Sequence, residues 1–187
     1  MRNLWLTSCL IALTTTVATS SIANARDKGP HSAGLSGATV AVLPFEPAPG
    51  QPETGPAAQR LAAKMLAKED GARVLEETPV VTYLRDHRMP SAETDREALD
   101  AMVRDLNVDL VVWGTVNQFT SYKSDKPGSE TPPFVQLTVY AARPGQPVTT
   151  YASAQRSTNV PPTVFSSAPS FEKLAAPLMK EAIQKIR

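Results

Sequence analysis

The chain has 187 residues, 42% of them hydrophobic and 20% charged, with 19 Lys and Arg against 18 Asp and Glu and a formal net charge of +1. That balance excludes the basic excess by which proteins hold nucleic acid or an anionic membrane surface. A single cysteine excludes an internal disulfide framework, so a hydrophobic core must carry the stability.

Residues 1–25 read as a targeting segment. Arg2 supplies a positive charge, an apolar stretch runs over 4–13, and small residues lead to Ala23-Asn24-Ala25. That is the layout of a secretory signal peptide with an A-x-A cleavage site. The apolar part is too short, and too rich in Thr and Ser, to span a bilayer. The mature chain is expected to begin at Arg26 and to work outside the cytoplasm. Removing those 25 residues leaves 162, enough for one domain with a substantial core. It also removes Arg2 and no acid, so the mature charges balance. Cys9 leaves with the segment. Leu6-Thr7-Ser8-Cys9 looks like a lipobox, but the stronger apolar run, 10–13, follows the cysteine, and lipidation would need an upstream start. Membrane association is therefore expected only through lipidation or through a partner.

Residues 26–37 are polar, Gly-rich and aperiodic, which reads as a flexible leader. A domain over 38–187 opens with the Val-rich run 39–45, the pattern of a strand buried on both faces. A Pro/Gly loop over 47–56 precedes a helix over 56–68, with Ala58, Leu61, Ala62, Met65 and Leu66 on one face and Gly71 as its stop. Residues 73–75 predict a brief second strand. Thr78 and Pro79 suggest a cap and first helical position for a short helix to Arg88. Thr94 and Glu97 form a capping-box pattern before a helix whose apolar stripe is Leu99, Met102, Val103 and Leu106. Asn107 ends it, and 108–116 is a second buried strand that 119–122 can extend.

Residues 123–133 read as a long exposed loop. Over 134–142, Phe134, Gln136, Thr138 and Tyr140 alternate with Val135, Leu137 and Val139, the mark of a half-buried strand. Arg143-Pro144-Gly145-Gln146 suits a type II turn, and 148–157 returns as the partner strand. Ser170 can cap a last helix bearing Phe171, Leu174, Leu178, Ile183 and Ile186, which Pro177 is expected to kink or split. The fold class is α/β: a single domain with a mixed sheet in β-α-β-α-α-β-β-β-α order, in two or three layers.

Three features in this order carry a resemblance: the strand 40–45 ending in Pro44-Phe45, the turn Leu106-Asn107-Val108-Asp109, and Gly114 near the centre of the next strand. With the hairpin over 135–154, they resemble the TolB amino-terminal-domain superfamily. That group includes the curli-secretion lipoprotein, activators of penicillin-binding proteins and the Pel polysaccharide export lipoprotein. The resemblance implies a periplasmic envelope protein that binds other envelope proteins or assembles with itself. The lipidated cysteine of its lipoprotein members has no convincing counterpart here, which sets outer-membrane anchoring aside in favour of a soluble periplasmic role.

No catalytic constellation is legible. His31 falls in the leader, and His87 sits at a charged helix end without an orienting partner or metal-ligand spacing. The glycines of 34–37 precede a strand where a phosphate loop would follow one. No cofactor and no metal is expected, and enzymatic activity is not expected. Candidate interaction residues are Trp113, either core or an exposed aromatic anchor, and Lys123, Asp125 and Lys126 in the long loop. Glu46 lies beyond the carboxyl end of the first strand, where open α/β sheets hold ligands. It carries the alternative expectation, a small-ligand-binding protein. The edge of the hairpin over 134–157 is the expected docking element, by strand addition.

Overall fold

The computed structural model describes residues 35–69, 71–89, 95–121, 123–124, 130–156 and 169–186. Strand β1, Thr39–Val42, is apolar on both sides and lies inside the sheet. After it the chain bulges at Pro44 and Phe45 and then rejoins the ladder, Glu46 bridging to Thr115. Helix α1, Thr54–Glu69, follows, and Gly71, at φ 65°, turns the chain into β2, Arg73–Val74. Only a residue without a Cβ takes that φ cheaply. Helices α2, Glu77–Asp86, and α3, Arg96–Asp105, come next. Asn107, at φ 50°, redirects the chain into β3, Leu110–Thr120. The short strands β4, Lys123–Ser124, and β5, Glu130–Thr131, pair with each other. Strands β6, Phe134–Ala142, and β7, Thr149–Arg156, form the long hairpin, and α4, Phe171–Ile186, ends the fold.

Five strands make one mixed sheet in the order β2-β1-β3-β6-β7. β1 is parallel to β2 and β3, and β6 is antiparallel to β3 and β7. Helix crossovers require the parallel half, and the tight turn at Gly145, φ 67°, requires the antiparallel half.

The sheet has a helix layer on each side, so the fold has three layers. On one face Val40, Val42, Val112, Leu137 and Val139 pack under α1 and α4. On the other, Ala41, Leu43, Val111 and Trp113 pack under α2 and α3. The two layers differ in reach. α1 and α4 cover the sheet as far as β7, whereas the second cluster stops at Ala142 and Tyr140. Among the described residues, the far half of that second face is left to Gln136, Thr138, Ala152 and Ala154, which are half-buried or exposed.

Several local expectations change. The cap of α3 is Asp95, whose carboxylate accepts from Ala98 N at 2.7 Å, and Thr94 lies outside the described residues. α2 starts before Thr78, with Glu76 as its N-cap residue and no side-chain cap bond, so Thr78 and Pro79 lie inside its first turn. Pro177 does not split α4. Its missing N–H would have served the carbonyl of Lys173, and both residues are exposed, so the lost bond falls on the solvent side of the helix and not in the core. Part of the 123–133 loop is the β4/β5 pair. Packing also begins before 38, since Leu35 is buried against the first cluster and Gly37 N donates to Gly71 O at 3.1 Å.

Candidate interaction surface

The interior of the sheet fixes what its surface can present. Phe45 lies over Gly114, where a Cβ would meet the Phe45 ring at 2.4 Å and the Thr138 carbonyl oxygen at 2.4 Å. The absence of a side chain at Gly114 thus lets the β1 bulge close against β3. The bulge places Glu46 on the other face, where its Oε2 accepts from Thr115 Oγ1 at 3.3 Å. Thr115 is paired across the ladder with Thr138, whose Oγ1 accepts from Asn117 Nδ2 at 2.8 Å. A polar strip therefore runs from Glu46, beyond β1, across β3 to β6 on the half-open face.

The Pro/Gly loop over 47–56 is internally tied. Thr54, fully buried, accepts from Ala48 N at 2.9 Å and donates to Gln51 O at 2.8 Å. Gln51 Nε2 donates to Phe119 O at 3.0 Å, binding the loop to β3. Neither residue carried a sequence signal, because their partners are chosen by the fold. The same holds for Arg96, whose guanidinium donates to the carbonyls of Arg143, at 3.0 Å, and Gln146 and pairs with Asp100 at 3.0 Å. It clasps α3 to the β6–β7 turn. An open groove lies beside that clasp, lined by Arg96, Glu97, Asp100, Arg104, Pro144 and Gly145. This is the opposite end of the sheet from Glu46.

Trp113 is 3% exposed and belongs to the α2/α3 cluster, stacked on Tyr140 with ring centroids 5.4 Å apart. Its Nε1 is buried and, among the described residues, has no hydrogen-bond partner. Tyr140 is the aromatic ring at the border of the open face. Lys123 lies on β4, and Asp125 and Lys126 fall outside the described residues. The structure therefore brings Glu46 to the polar strip and puts Trp113 in the core. His87 stacks on Tyr83, ring centroids 3.9 Å apart, and Tyr83 Oη donates to Asp105 at 2.9 Å. Burial, and then that hydrogen bond, raise the Tyr83 pKa above 10.0. Among the described residues no group of three or more His, Cys, Asp or Glu is placed to hold a metal ion. Nor is any helix among them long and apolar enough to cross a membrane.

The edge of the sheet is defined by its ladder. Val112 O accepts from Leu43 N at 2.8 Å, Gly114 O accepts from Glu46 N at 2.9 Å, and Val116 N donates to Glu46 O at 2.8 Å. Those three residues turn their backbone groups toward β1, so Val111, Trp113 and Thr115 turn theirs toward β6. Their partners Ala142, Tyr140 and Thr138 face β3, which leaves Ala141, Val139, Leu137 and Val135 to bond β7. The register pairs these with Thr149, Tyr151, Ser153 and Gln155. The backbone N–H and C=O of Thr150, Ala152, Ala154 and, at the strand's end, Arg156 therefore point outward. Among the described residues no strand pairs with that side of β7.

Among the described residues, a three-layer α/β domain with one half-open sheet face and a long edge strand is the class these features define. Solved structures share the fold. A point variant of the PelC dodecamer from Paraburkholderia phytofirmans matches with a TM-score of 0.54 and 18% identity, over 81% of this chain and 90% of that one. The PelC dodecamer from the same organism in a second crystal form matches with a TM-score of 0.50 and 16% identity, over 81% and 89%. Lipoprotein GNA1162 from Neisseria meningitidis matches with a TM-score of 0.44 and 13% identity, over 66% and 87%. No family model matches the sequence, and no curated protein does. At these identities the likeness to PelC is one of fold, and it is the fold that the resemblance read from the sequence implies.

Proposed function

We propose that this is a non-enzymatic protein of the periplasm that acts by binding envelope proteins or by assembling with itself, in secretion, polysaccharide export or control of cell-wall synthesis. Residues 1–25 would export it as a cleaved signal peptide. The observation that carries the reading is the β7 edge: eight residues long, regular against β6, and with outward backbone groups that only another extended chain satisfies in full. The polar strip from Glu46 to Asn117 lies on the adjoining face and would set the choice of partner by hydrogen bonding. Support for the envelope setting is the fold shared with PelC, which crystallises as a dodecamer.

The test is crosslinking in the native cells, purification through a C-terminal tag, and mass spectrometry of what is recovered. A discrete ladder of the protein itself, or an export or cell-wall component, is the expected result and names the pathway. Monomer alone would overturn the reading and direct the search to small ligands near Glu46.

A further inference from the structure

We infer that β7 joins two copies of this chain strand to strand, antiparallel, making one continuous sheet across a two-fold axis at Ala152. This rests on the self-assembly reading above and names its contact.

Three properties of β7 point to a second copy as the occupant. First, its outward groups are self-complementary. An antiparallel hydrogen-bonded pair exchanges both of its N–H···O bonds. With the axis at Ala152, that residue pairs with its own copy, Thr150 pairs with the other copy's Ala154, and Ala154 pairs with the other Thr150. The outward N–H and C=O of Thr150, Ala152 and Ala154 then all have partners, and Arg156, the fourth outward residue, lies opposite Val148 of the other copy, beyond the paired run. Second, like meets like without repulsion, since Thr149 through Gln155 carry no charge. Third, the strand lacks the devices that keep free edges apart. It has no proline, no lysine and no bulge against β6, and its one charged residue, Arg156, stands at its very end, whereas the other edge, β2, is only two residues long and half of it is an arginine. The side chains at the paired positions are small, so the backbones can approach to ladder distance. The contact is isologous and closes at two copies.

The mature region contains no cysteine, so single cysteines can report the register in a full-length Cys9→Ser background. In Ala152→Cys the paired Cα atoms would lie about 5.5 Å apart, inside the roughly 4.4–6.8 Å range of disulfides. Mild oxidation is expected to give a covalent dimer. Ala154→Cys alone should give none, because the two copies of that residue are offset by four positions, about 14 Å along the strand. Mixing it with Thr150→Cys should restore the crosslink. Ala152→Pro removes an outward N–H but no bond to β6, so it should leave the circular dichroism unchanged. It should weaken association by roughly thirtyfold or more, through the two bonds lost at the axis. If light scattering shows oligomers that Ala152→Pro leaves intact and Ala152→Cys does not crosslink, the β7 contact is wrong while self-assembly stands. A wild-type protein that is monomeric throughout removes both. Crosslinking of Ala152→Cys to a different protein overturns the second copy as occupant.

Discussion

Replacing Gly114 with alanine sets two backbone effects against each other. Gly114 has no positive φ, so alanine would be expected to stabilise the strand by about 0.5–1 kcal/mol by reducing the freedom of the unfolded chain. Against this, the new methyl would lie 2.4 Å from Phe45 Cε1 and 2.4 Å from the Thr138 carbonyl oxygen, both well inside contact distance. The ring can tilt, but the carbonyl belongs to β6 and is held in the ladder by the pairing of Thr115 with Thr138. Overpacking of a close-packed core costs roughly 1–3 kcal/mol, and a contact against fixed backbone belongs at the upper end. The net expectation is a loss of about 2 kcal/mol, or about 4–8 °C in Tm for a domain of this size. Urea denaturation of Gly114→Ala followed by circular dichroism measures it. Adding Phe45→Leu should relieve the ring contact and not the carbonyl contact, so the double variant should stay below Phe45→Leu alone. A Gly114→Ala protein as stable as wild type would refute the argument that Phe45 and β6 close on this glycine.

Thr54→Val deletes a buried hydroxyl that serves both Ala48 N and Gln51 O. A loss of about 1–3 kcal/mol in denaturant is expected, with faster amide exchange at Ala48. Trp113→Ala should cost about 3–5 kcal/mol, whereas Trp113→Phe, which also removes the unpartnered Nε1, should cost clearly less. Equal losses in the two would refute the reading of Trp113 as a side chain that stabilises by packing in the core. The phenol of Tyr83 titrates above 10.0 in the folded state because of burial and Asp105. Its contribution is therefore complete below pH 10.0 and is lost as pH rises through the folded value. Denaturation midpoints taken across this alkaline range should fall less steeply in Tyr83→Phe than in wild type.

The elements most legible in the sequence were those whose signal is local. The alternation of Phe134 through Ala142 and the Pro-Gly turn after it specified β6 and its hairpin. The stripe Leu99, Met102, Val103 likewise specified the buried side of α3. Local signals also misled, where a nearby alternative competed. Thr94 and Asp95 are both capping residues, and only the backbone geometry selects Asp95. Pro177 reads as a break, yet α4 continues because the carbonyl it leaves unbonded belongs to an exposed residue and α4 is held by Leu174, Leu178 and Met179 in the core.

What the sequence by itself determined is the periodicity of each segment, its polarity and its turn chemistry, which together specify an α/β domain with buried central strands. Tertiary structure alone decided which strand became the edge, that α2 and α3 cover only half of one face, and that Glu46, Thr115, Thr138 and Asn117 meet. Those outcomes depend on residues far apart in the chain, as with Glu46 and Thr115 or Arg96 and Arg143. A backbone group's partner is set by strand order and register, and neither is written in any one segment.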